Sequence, residues 1–261
     1  MNKICTFDIM FDMDLQKADI QDSYFLGKTK PYYFYNSLYK YASEITFALG
    51  YFSKTAFCVG AENLLHFVEN GGRFNFICND KLFLEDVTAI ESGYRLRKTR
   101  AVSLNDLNQI FQIYGEDKDF RRFSFKCLSY LIALNRLEIK VVKTNRLVHF
   151  KTGFARDDMG NTVAFTGSVN YTLQAMLYNY EQLETYCSWK GEAFQSRIEN
   201  IVQAIDNLWS EKNAELPLIT GTEIAQYIRE KYPVENIEEL KLEFKIISNE
   251  LNKVSSHTHT R

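Results

Sequence analysis

The sequence predicts an α/β protein in which a mixed β-sheet is flanked by helices, and two stretches carry this prediction. Residues 44–78 contain a strand (EITFALGYFS), a helix (AENLLHFVEN) and a second strand (RFNFIC), with Gly71 and Gly72 ending the helix. Such a βαβ unit implies parallel strands joined by a right-handed crossover. Residues 148–181 contain a strand, a polar turn, a second strand and a helix-like segment that carries Asn179 and Glu181.

Hydrophobic spacing predicts the other elements along the chain. In order, these are an irregular or strand-containing lead at 1–30, a helix at 31–42, two polar helical pieces at 80–119, a helix at 126–135, strands at 137–142, 162–166 and 183–188, and an amphipathic helix at 192–212. We therefore expect one main domain at 1–212. A helical tail at 213–261, with helices at 222–231 and 234–252, is predicted to serve dimerisation, docking or linkage.

The composition fits a globular chain with a sizeable core. Hydrophobic residues make up 46% of the 261 residues, and Pro occurs only three times, which argues against long disordered linkers. The net charge of -2 does not by itself indicate a nucleic-acid-binding protein, since such proteins usually carry an excess of basic residues. Any phosphate-binding surface must therefore be local.

Cysteine usage and hydropathy favour a cytoplasmic protein. The five cysteines form no C-x-x-C pair and have apolar neighbours, as buried free thiols in a reducing cytosol do. No His and Cys residues have the spacing of zinc ligands, and His257 and His259 are not interpreted as a metal site. The N-terminal apolar run is interrupted by acidic residues, unlike a signal peptide, and no stretch approaches the ~18 apolar residues of a membrane span. We expect no cofactor, no metal and no membrane partner.

The residues that can do chemistry are concentrated in the second stretch, VHFKTGFARDDMGNTVAFTGSVNYTLQAMLYNYE. His149 can attack phosphorus as a neutral imidazole and form a covalent intermediate. Lys151 lies two residues further along a strand, faces the same side and can hold a non-bridging phosphate oxygen. Asn170 can donate its amide to the same group, in a G-S-V-N run where Gly167 allows close approach of the backbone.

Two further polar residues complete this predicted catalytic set. Ser168 belongs to the G-S-V-N run, and Glu181 is the candidate carboxylate for the distal imidazole nitrogen, where it would fix the tautomer and stabilise the charged ring. Each residue taken singly has an ordinary structural explanation, as a strand histidine, a solvated lysine or a hairpin exit. The ordered set favours phosphoryl transfer.

These residues also carry a resemblance to a known family. H-F-K, G-S-V-N-Y-T and N-Y-E, in this order, resemble the HxK…GSxN signature of the phospholipase D superfamily, above all its nuclease branch of restriction enzymes and helicase-associated domains. The resemblance implies a phospholipase D-like fold and a homodimer, since the superfamily pairs two HxK motifs and this chain contains one. The Asp expected five residues after the Lys is replaced by Arg156, and Asp157 and Asp158 follow it. Whether either takes the role of that Asp stays open.

Basic residues outside the motif allow two interpretations. The run YRLRKTR at 94–100 is either a solvated helix face or one wall of a DNA groove, and these are equally supported. Other basic residues lie between the strand at 137–142 and the motif. They are expected to give the site a local positive charge that attracts an anionic substrate. The groove hypothesis assigns substrate binding to Arg95, Arg97, Lys98, Lys143 and Arg146.

The function predicted from the sequence is a metal-independent phosphodiesterase of phospholipase D type, with DNA as the expected substrate. The resemblance suggests a setting in bacterial restriction or anti-phage defence, with a helicase, ATPase or other defence subunit as a further partner. Three alternatives stay open: a degenerate module that only binds nucleic acid or a protein, an enzyme acting on phospholipids, and a structural adaptor. A lipid enzyme of this type usually has two HxK motifs in one chain, and this chain has one.

Overall fold

An eight-stranded mixed β-sheet forms the centre of the structure, a computed structural model that describes residues 13–25, 29–99, 102–114, 120–212 and 215–231. In chain order the strands are β1 (Ser23–Phe25), β2 (Glu44–Leu49), β3 (Arg73–Cys78), β4 (Leu137–Val142), β5 (Lys151–Arg156), β6 (Thr162–Gly167), β7 (Gln182–Cys187) and β8 (Leu218–Thr220). Their order across the sheet is β1-β7-β6-β5-β2-β3-β4-β8.

Helices connect and cover these strands. In chain order they are α1 (Pro31–Tyr41), α2 (Ala61–Glu69), α3 (Leu84–Thr99), α4 (Leu104–Tyr114), α5 (Phe120–Ala133), α6 (Leu173–Leu177), α7 (Glu192–Trp209) and α8 (Glu223–Lys231). The local sequence explains several of their ends. Pro31 supplies the fixed φ that suits a first helical turn, and the Thr172 hydroxyl caps α6 by accepting the N–H of Ala175 at 3.2 Å.

Strand direction brings distant parts of the chain to one edge of the sheet. β2, β3 and β4 are parallel, so their carboxyl ends meet at the same edge. β5 is antiparallel to β2, with Lys151 opposite Leu49, so β5 begins where β2 ends. β6 runs back to the same edge, where Gly167 pairs with Leu183 at the start of β7. We call this the carboxyl edge.

Both faces of the sheet are packed. On one face, Phe47 and Phe76 stack with ring centroids 4.9 Å apart, and fully buried Tyr171 packs on both. On the other face, α7 places Ile205 and Leu208 against the sheet. Many of the aromatic rings in the described part of the chain therefore belong to the core, where large rings bury much apolar area.

The first part of the predicted tail is joined to the main sheet. β8 pairs antiparallel with β4, and buried Ile224, Ala225 and Ile228 of α8 belong to the main core. The ammonium of Lys231 donates to Asp80 and to the Thr144 carbonyl, both at 2.5 Å, and so ties the end of α8 to the carboxyl edge. The helix predicted at 234–252 lies outside the described residues.

The predicted α/β class is confirmed, and the predicted βαβ unit is present as β2, α2 and β3. Three details differ from the prediction. His149 lies just before β5 and not within a strand. Asn179 and Glu181 lie after α6 and not in a helix, because the Gln174 carbonyl accepts the N–H groups of Tyr178 and Asn179 and ends the helix there. β8 was not predicted, since only helices were expected after residue 213.

Within the part of the chain that the structure describes, no helix is both long and apolar enough to cross a membrane.

Candidate active site

The sequence motif lies at the carboxyl edge, where four separate segments meet. They are the segment that follows β2, the start of β5, the end of β6 and the connection from α6 to β7. His149, Lys151, Ser168, Asn170 and Glu181 all lie on these segments. The structure therefore brings the predicted catalytic set to one edge of the sheet.

His149 and Lys151 pack against a glycine that follows β2. A methyl group on Gly50 would lie 3.2 Å from the His149 Cα and 3.4 Å from the Lys151 Nζ. The Gly50 N–H donates to the Phe150 carbonyl, which fixes the backbone between the two motif residues. The His149 ring is exposed and lies edge-on to Tyr51, with ring centroids 6.4 Å apart. An exposed imidazole beside an ammonium is accessible to an anionic substrate.

Asn170 is held by a hydrogen bond to its side-chain oxygen. Its Oδ1 accepts the N–H of Tyr51 at 3.0 Å. Because a backbone N–H can only meet the oxygen of the amide, Nδ2 is left to donate elsewhere. The predicted role of Asn170 as a donor to phosphate is consistent with this orientation.

Ser168 and Glu181 form a small hydrogen-bonded network with a third residue. The Ser168 hydroxyl donates to the Glu181 carboxylate and accepts the N–H of Gln182 at 3.0 Å. The Asn179 amide donates to the other Glu181 oxygen at 2.9 Å. A hydrogen bond from His149 to Glu181 is not among those formed by the described residues. The predicted tautomer-fixing role of Glu181 stays a prediction.

The charge of Lys151 depends on two opposing effects. Partial burial of the ammonium lowers the pKa of Lys151, and the negative charge of Glu181 raises it again. Glu181 is therefore close enough to favour the protonated lysine. This is a contribution that the sequence did not suggest.

The segment from Gly50 to Lys54 links the two halves of the motif. Four of its backbone N–H groups are bonded outside the segment, to the Phe150 carbonyl, Asn170 Oδ1, the Tyr171 carbonyl and Asp86 Oδ1. These bonds connect the residues that precede β5 with the residues that follow β6. The sequence showed only a turn here, since its role arises from contacts with residues about 100 positions further along the chain.

A buried ion pair supports the far end of this segment. The Lys54 ammonium lies 3.4 Å from Asp86 Oδ1 and 2.9 Å from Glu85 Oε2, and Lys54 and Asp86 are both fully buried. Burial raises the pKa of Asp86 to about 6, although the positive charge of Lys54 acts in the opposite direction. No pattern in the sequence identified this pair.

The basic residues predicted on α3 do not lie with the motif. Arg97 donates to the carbonyls of Ile132 and Leu137 and to Glu138, at 2.6, 3.0 and 2.9 Å. Because Leu137 starts β4, this contact is at the opposite end of the sheet, about 16 Å along the strands from Gly50. Arg95 pairs with Glu91 at 2.7 Å, and Lys98 is exposed near the same end of α3. Their substrate-binding role stays a prediction that these positions do not favour.

Lys143 and Arg146, in contrast, lie on the connection from β4 to β5 at the carboxyl edge. Both are exposed, and Lys143 follows directly on the last residue of β4. The Lys143 ammonium lies 5.6 Å from the centre of the Tyr227 ring. These two residues are placed to supply a local positive charge near the motif.

The two aspartates after Arg156 lie at the other end of β5 from Lys151. Asp157 is buried and accepts the N–H groups of Leu15, Met159 and Asn161 at 2.7, 3.0 and 2.8 Å, so it closes the β5–β6 turn and holds the start of the described chain. Asp158 is exposed in the same turn. Six strand residues separate this turn from Lys151 by about 20 Å. Neither aspartate is brought to the motif.

Comparisons with known proteins were made for the whole chain. No protein-family model matches it, and no curated protein matches it in sequence. Among solved structures it is similar to the phosphatidylserine synthase of Haemophilus influenzae Rd KW20, with a TM-score of 0.45, 14% identity, and 84% of this chain and 42% of the synthase covered. It is also similar to NucT from Helicobacter pylori, with a TM-score of 0.33, 12% identity, and 64% of this chain and 84% of NucT covered. The chain spans about two fifths of the length of the synthase.

The arrangement at the carboxyl edge has the parts that phosphoryl transfer needs. It has an exposed imidazole, which can act as a nucleophile, an ammonium and an amide, which can donate to a phosphate oxygen, and a carboxylate that favours the charged ammonium. Within the described residues, no group of three or more His, Cys, Asp or Glu side chains is arranged to hold a metal ion.

Proposed function

We propose that this chain is a metal-independent phosphodiesterase of phospholipase D type that cleaves nucleic acid, with DNA as the expected substrate. The observation that supports this most is the meeting of His149, Lys151 and Asn170 at the carboxyl edge. These three residues come from two parts of the chain about 20 positions apart. For the motif to form one active site, these residues must lie close together, and they do lie at the same edge of the sheet.

In the proposed mechanism, the neutral His149 imidazole attacks phosphorus, so that a P–N bond forms and the P–O bond to the leaving group breaks. Lys151 and Asn170 donate to the non-bridging oxygens as negative charge develops on them. An acid protonates the leaving oxygen, and water then hydrolyses the phosphohistidine and frees His149. Glu181 contributes by favouring the charged form of Lys151.

The working unit that we propose is a homodimer. The reaction needs a nucleophile and a second group that protonates the leaving oxygen, and the chain contains a single HxK motif. A two-fold axis beside His149 would place the partner's motif on the opposite side of the phosphate. Mixing wild-type chains with His149→Ala chains should then give heterodimers with greatly reduced activity. Full activity of a monomer at low concentration would rule this arrangement out.

The test of the function is a nuclease assay on single- and double-stranded DNA with excess chelator, together with a generic phosphodiester. We expect cleavage with chelator present and none by His149→Ala. Lys151→Ala and Asn170→Ala should each lose on the order of 10²–10³ in rate. His66→Ala is the matched control, since His66 lies on α2 and is hydrogen-bonded to Asn70 away from the motif. Loss of activity with chelator and recovery with magnesium would exclude this mechanism.

One observation favours a second candidate function, a catalytically degenerate module that binds nucleic acid or a protein. At the position where the resemblance expects an Asp stands Arg156, which lies 3.7 Å from Glu44 and 3.6 Å from Asp206. If wild-type protein binds DNA but cleaves neither DNA nor the generic phosphodiester, this function replaces the first. The setting that we propose for either function is bacterial restriction or anti-phage defence with a helicase or ATPase partner, and the resemblance alone suggests it.

A further inference from the structure

A buried carboxylate on α3 is bonded to the 50–54 segment, which borders the candidate active site. Asp86 is fully buried, and its Oδ1 accepts the backbone N–H of Lys54 at 3.1 Å and lies 3.4 Å from the Lys54 ammonium. The second oxygen of Asp86 is also buried and has no hydrogen-bond partner among the described residues. Asp86 therefore holds the backbone and the side chain of Lys54 at a single point.

The helix that carries Asp86 can act as a fixed support. Asp86 lies in the first turn of α3, and α3 packs closely on α5. A Cβ on Gly93 of α3 would lie 2.6 Å from the Ser129 carbonyl oxygen of α5, and the Ser129 hydroxyl donates to the Ala89 carbonyl at 2.9 Å. Backbones packed this closely leave little room for one helix to move on the other. The position of Asp86 is therefore set by the core.

A series of backbone hydrogen bonds leads from Lys54 to Asn170. The Ser53 N–H donates to the Tyr171 carbonyl at 3.1 Å. Two residues earlier, the Tyr51 N–H donates to Asn170 Oδ1 at 3.0 Å. Because these donors lie on one short stretch of chain that ends at Lys54, a movement of Lys54 would alter the contact that holds Asn170.

Resting on the phosphodiesterase function proposed above, we propose that Asp86 is a positioning residue of this site, which acts through Lys54 and the 50–54 backbone to hold the Asn170 amide for its contact with phosphate. In this role Asp86 does not touch the substrate. It keeps the Tyr51 N–H at the Asn170 oxygen, so that the amide nitrogen is left to donate. A donor that is already oriented needs no reorganisation when negative charge develops on the phosphate.

The burial of a charged pair at this point supports positioning over stability. Moving Asp86 and Lys54 out of water is costly, and apolar residues of similar volume are often at least as stable. The pair is also incomplete, since one Asp86 oxygen has no partner among the described residues. An apolar contact has no direction, however, whereas the two contacts to Asp86 Oδ1 fix Lys54 in one orientation. The pair therefore supplies geometry at the end of the segment.

The test is a double-mutant cycle on the rate of phosphodiester cleavage per folded molecule. It is run at pH 8, where the Asp86 carboxyl is ionised, because burial raises its pKa only to about 6. Asp86→Asn keeps an oxygen for the Lys54 N–H but removes the charge that holds the ammonium. It should lower the rate about tenfold in the otherwise wild-type chain and less than about twofold in the Asn170→Ala chain, where no amide is left to position.

Amide hydrogen exchange measures the positioning itself and needs no activity. In Asp86→Asn the N–H groups of Tyr51 and Ser53 should exchange at least about tenfold faster relative to those of β3, which report global unfolding. Asp157→Asn is the matched control, since Asp157 is also a buried carboxylate that accepts backbone N–H groups but lies at the other end of β5 from Lys151. It should change neither this ratio nor the rate per folded molecule.

Lys54→Met is the second variant, for the case in which Asp86→Asn does not fold. Loss of the ammonium raises the pKa of Asp86 further, so the carboxyl can become neutral and still accept the backbone N–H of residue 54. The same losses of rate and protection are expected.

Three results would overturn the inference: an equal loss of rate with and without the Asn170 amide, no loss per folded molecule, or an unchanged exchange ratio. Failure of the proposed function appears differently. The wild-type protein would then cleave no phosphodiester, while the exchange of the Tyr51 and Ser53 N–H groups would still depend on Asp86.

Discussion

Replacement of Gly167 by Ala should destabilise the protein strongly, although the change adds a single methyl group. A Cβ at this position would overlap the carbonyl oxygen of Gln182 and would lie 2.9 Å from its carbonyl carbon and 3.0 Å from the Leu183 Cα. All three atoms belong to the backbone of the neighbouring strand β7, so no side chain can rotate away. The end of β6 must move away from β7.

The cost can be worked out from the contacts at this point. Overpacking of this kind costs about 1–3 kcal/mol. Separation of the strands also weakens the Ser168 N–H to Gln182 carbonyl bond of 2.9 Å and the Gln182 N–H to Ser168 hydroxyl bond of 3.0 Å, at about 1 kcal/mol each. The sum is about 3–5 kcal/mol, a large part of the roughly 5–15 kcal/mol that stabilises a domain.

The assay is urea unfolding followed by the fluorescence of the two tryptophans, Trp189 and Trp209. Gly160→Ala is the matched control. Gly160 has a φ of 87° but no atom within 4 Å of its Cβ position, so it loses only backbone conformation, at about 1–2 kcal/mol. Gly167 has no positive φ, so its whole cost is steric.

The expected order is therefore a larger loss of unfolding free energy for Gly167→Ala than for Gly160→Ala. Since Ser168 follows Gly167 and bonds Glu181, the folded fraction of Gly167→Ala should also be less active. If Gly167→Ala unfolds at the same urea concentration as wild type, the close approach of β6 and β7 is not a real constraint and the reasoning fails.

Two further predictions follow from buried carboxylates. Burial raises the pKa of Asp86 from 3.8 to about 6, so between these values the unfolded chain binds fewer protons than the folded one and stability falls as pH rises. The unfolding free energy of wild type minus that of Asp86→Asn should fall by about 2 kcal/mol from pH 4 to pH 7, and a constant difference would contradict this origin. Asp157→Ala should leave the buried N–H groups of Leu15 and Asn161 without an acceptor and cost about 2–4 kcal/mol. Its activity per folded molecule should equal that of wild type. A selective loss of activity would instead indicate that Asp157 acts in the active site.

The sequence predicted that the motif residues would share one site, but not the contacts that each of them makes. The order of H-F-K and G-S-V-N predicted a common site, and the strands that carry them do meet at one edge. The sequence suggested His149 as a partner of Glu181, and it did not suggest the bonds from Ser168 and Asn179 that the structure gives this carboxylate. A one-dimensional pattern indicates which residue types are present but not which atoms face one another.

The basic run on α3 shows a second limit of sequence reasoning. Its charges fitted a solvated face and a DNA groove equally well. The structure gives Arg97 an internal partner in Glu138 and two carbonyl acceptors. The sequence could not show this, because the acceptors belong to a helix end and a strand about 40 residues further along the chain.

The sequence by itself determined the α/β class, the positions of most helices and strands and the chemical groups available for phosphoryl transfer. These depend on hydrophobic periodicity and residue type, which are local properties. Only the tertiary structure decided that Gly50 contacts His149 and Lys151, that Asp157 lies about 20 Å along β5 from Lys151, and that β8 joins the main sheet. These features depend on strand direction and register between segments far apart in the chain, which are set by packing of the whole core and not by any local pattern.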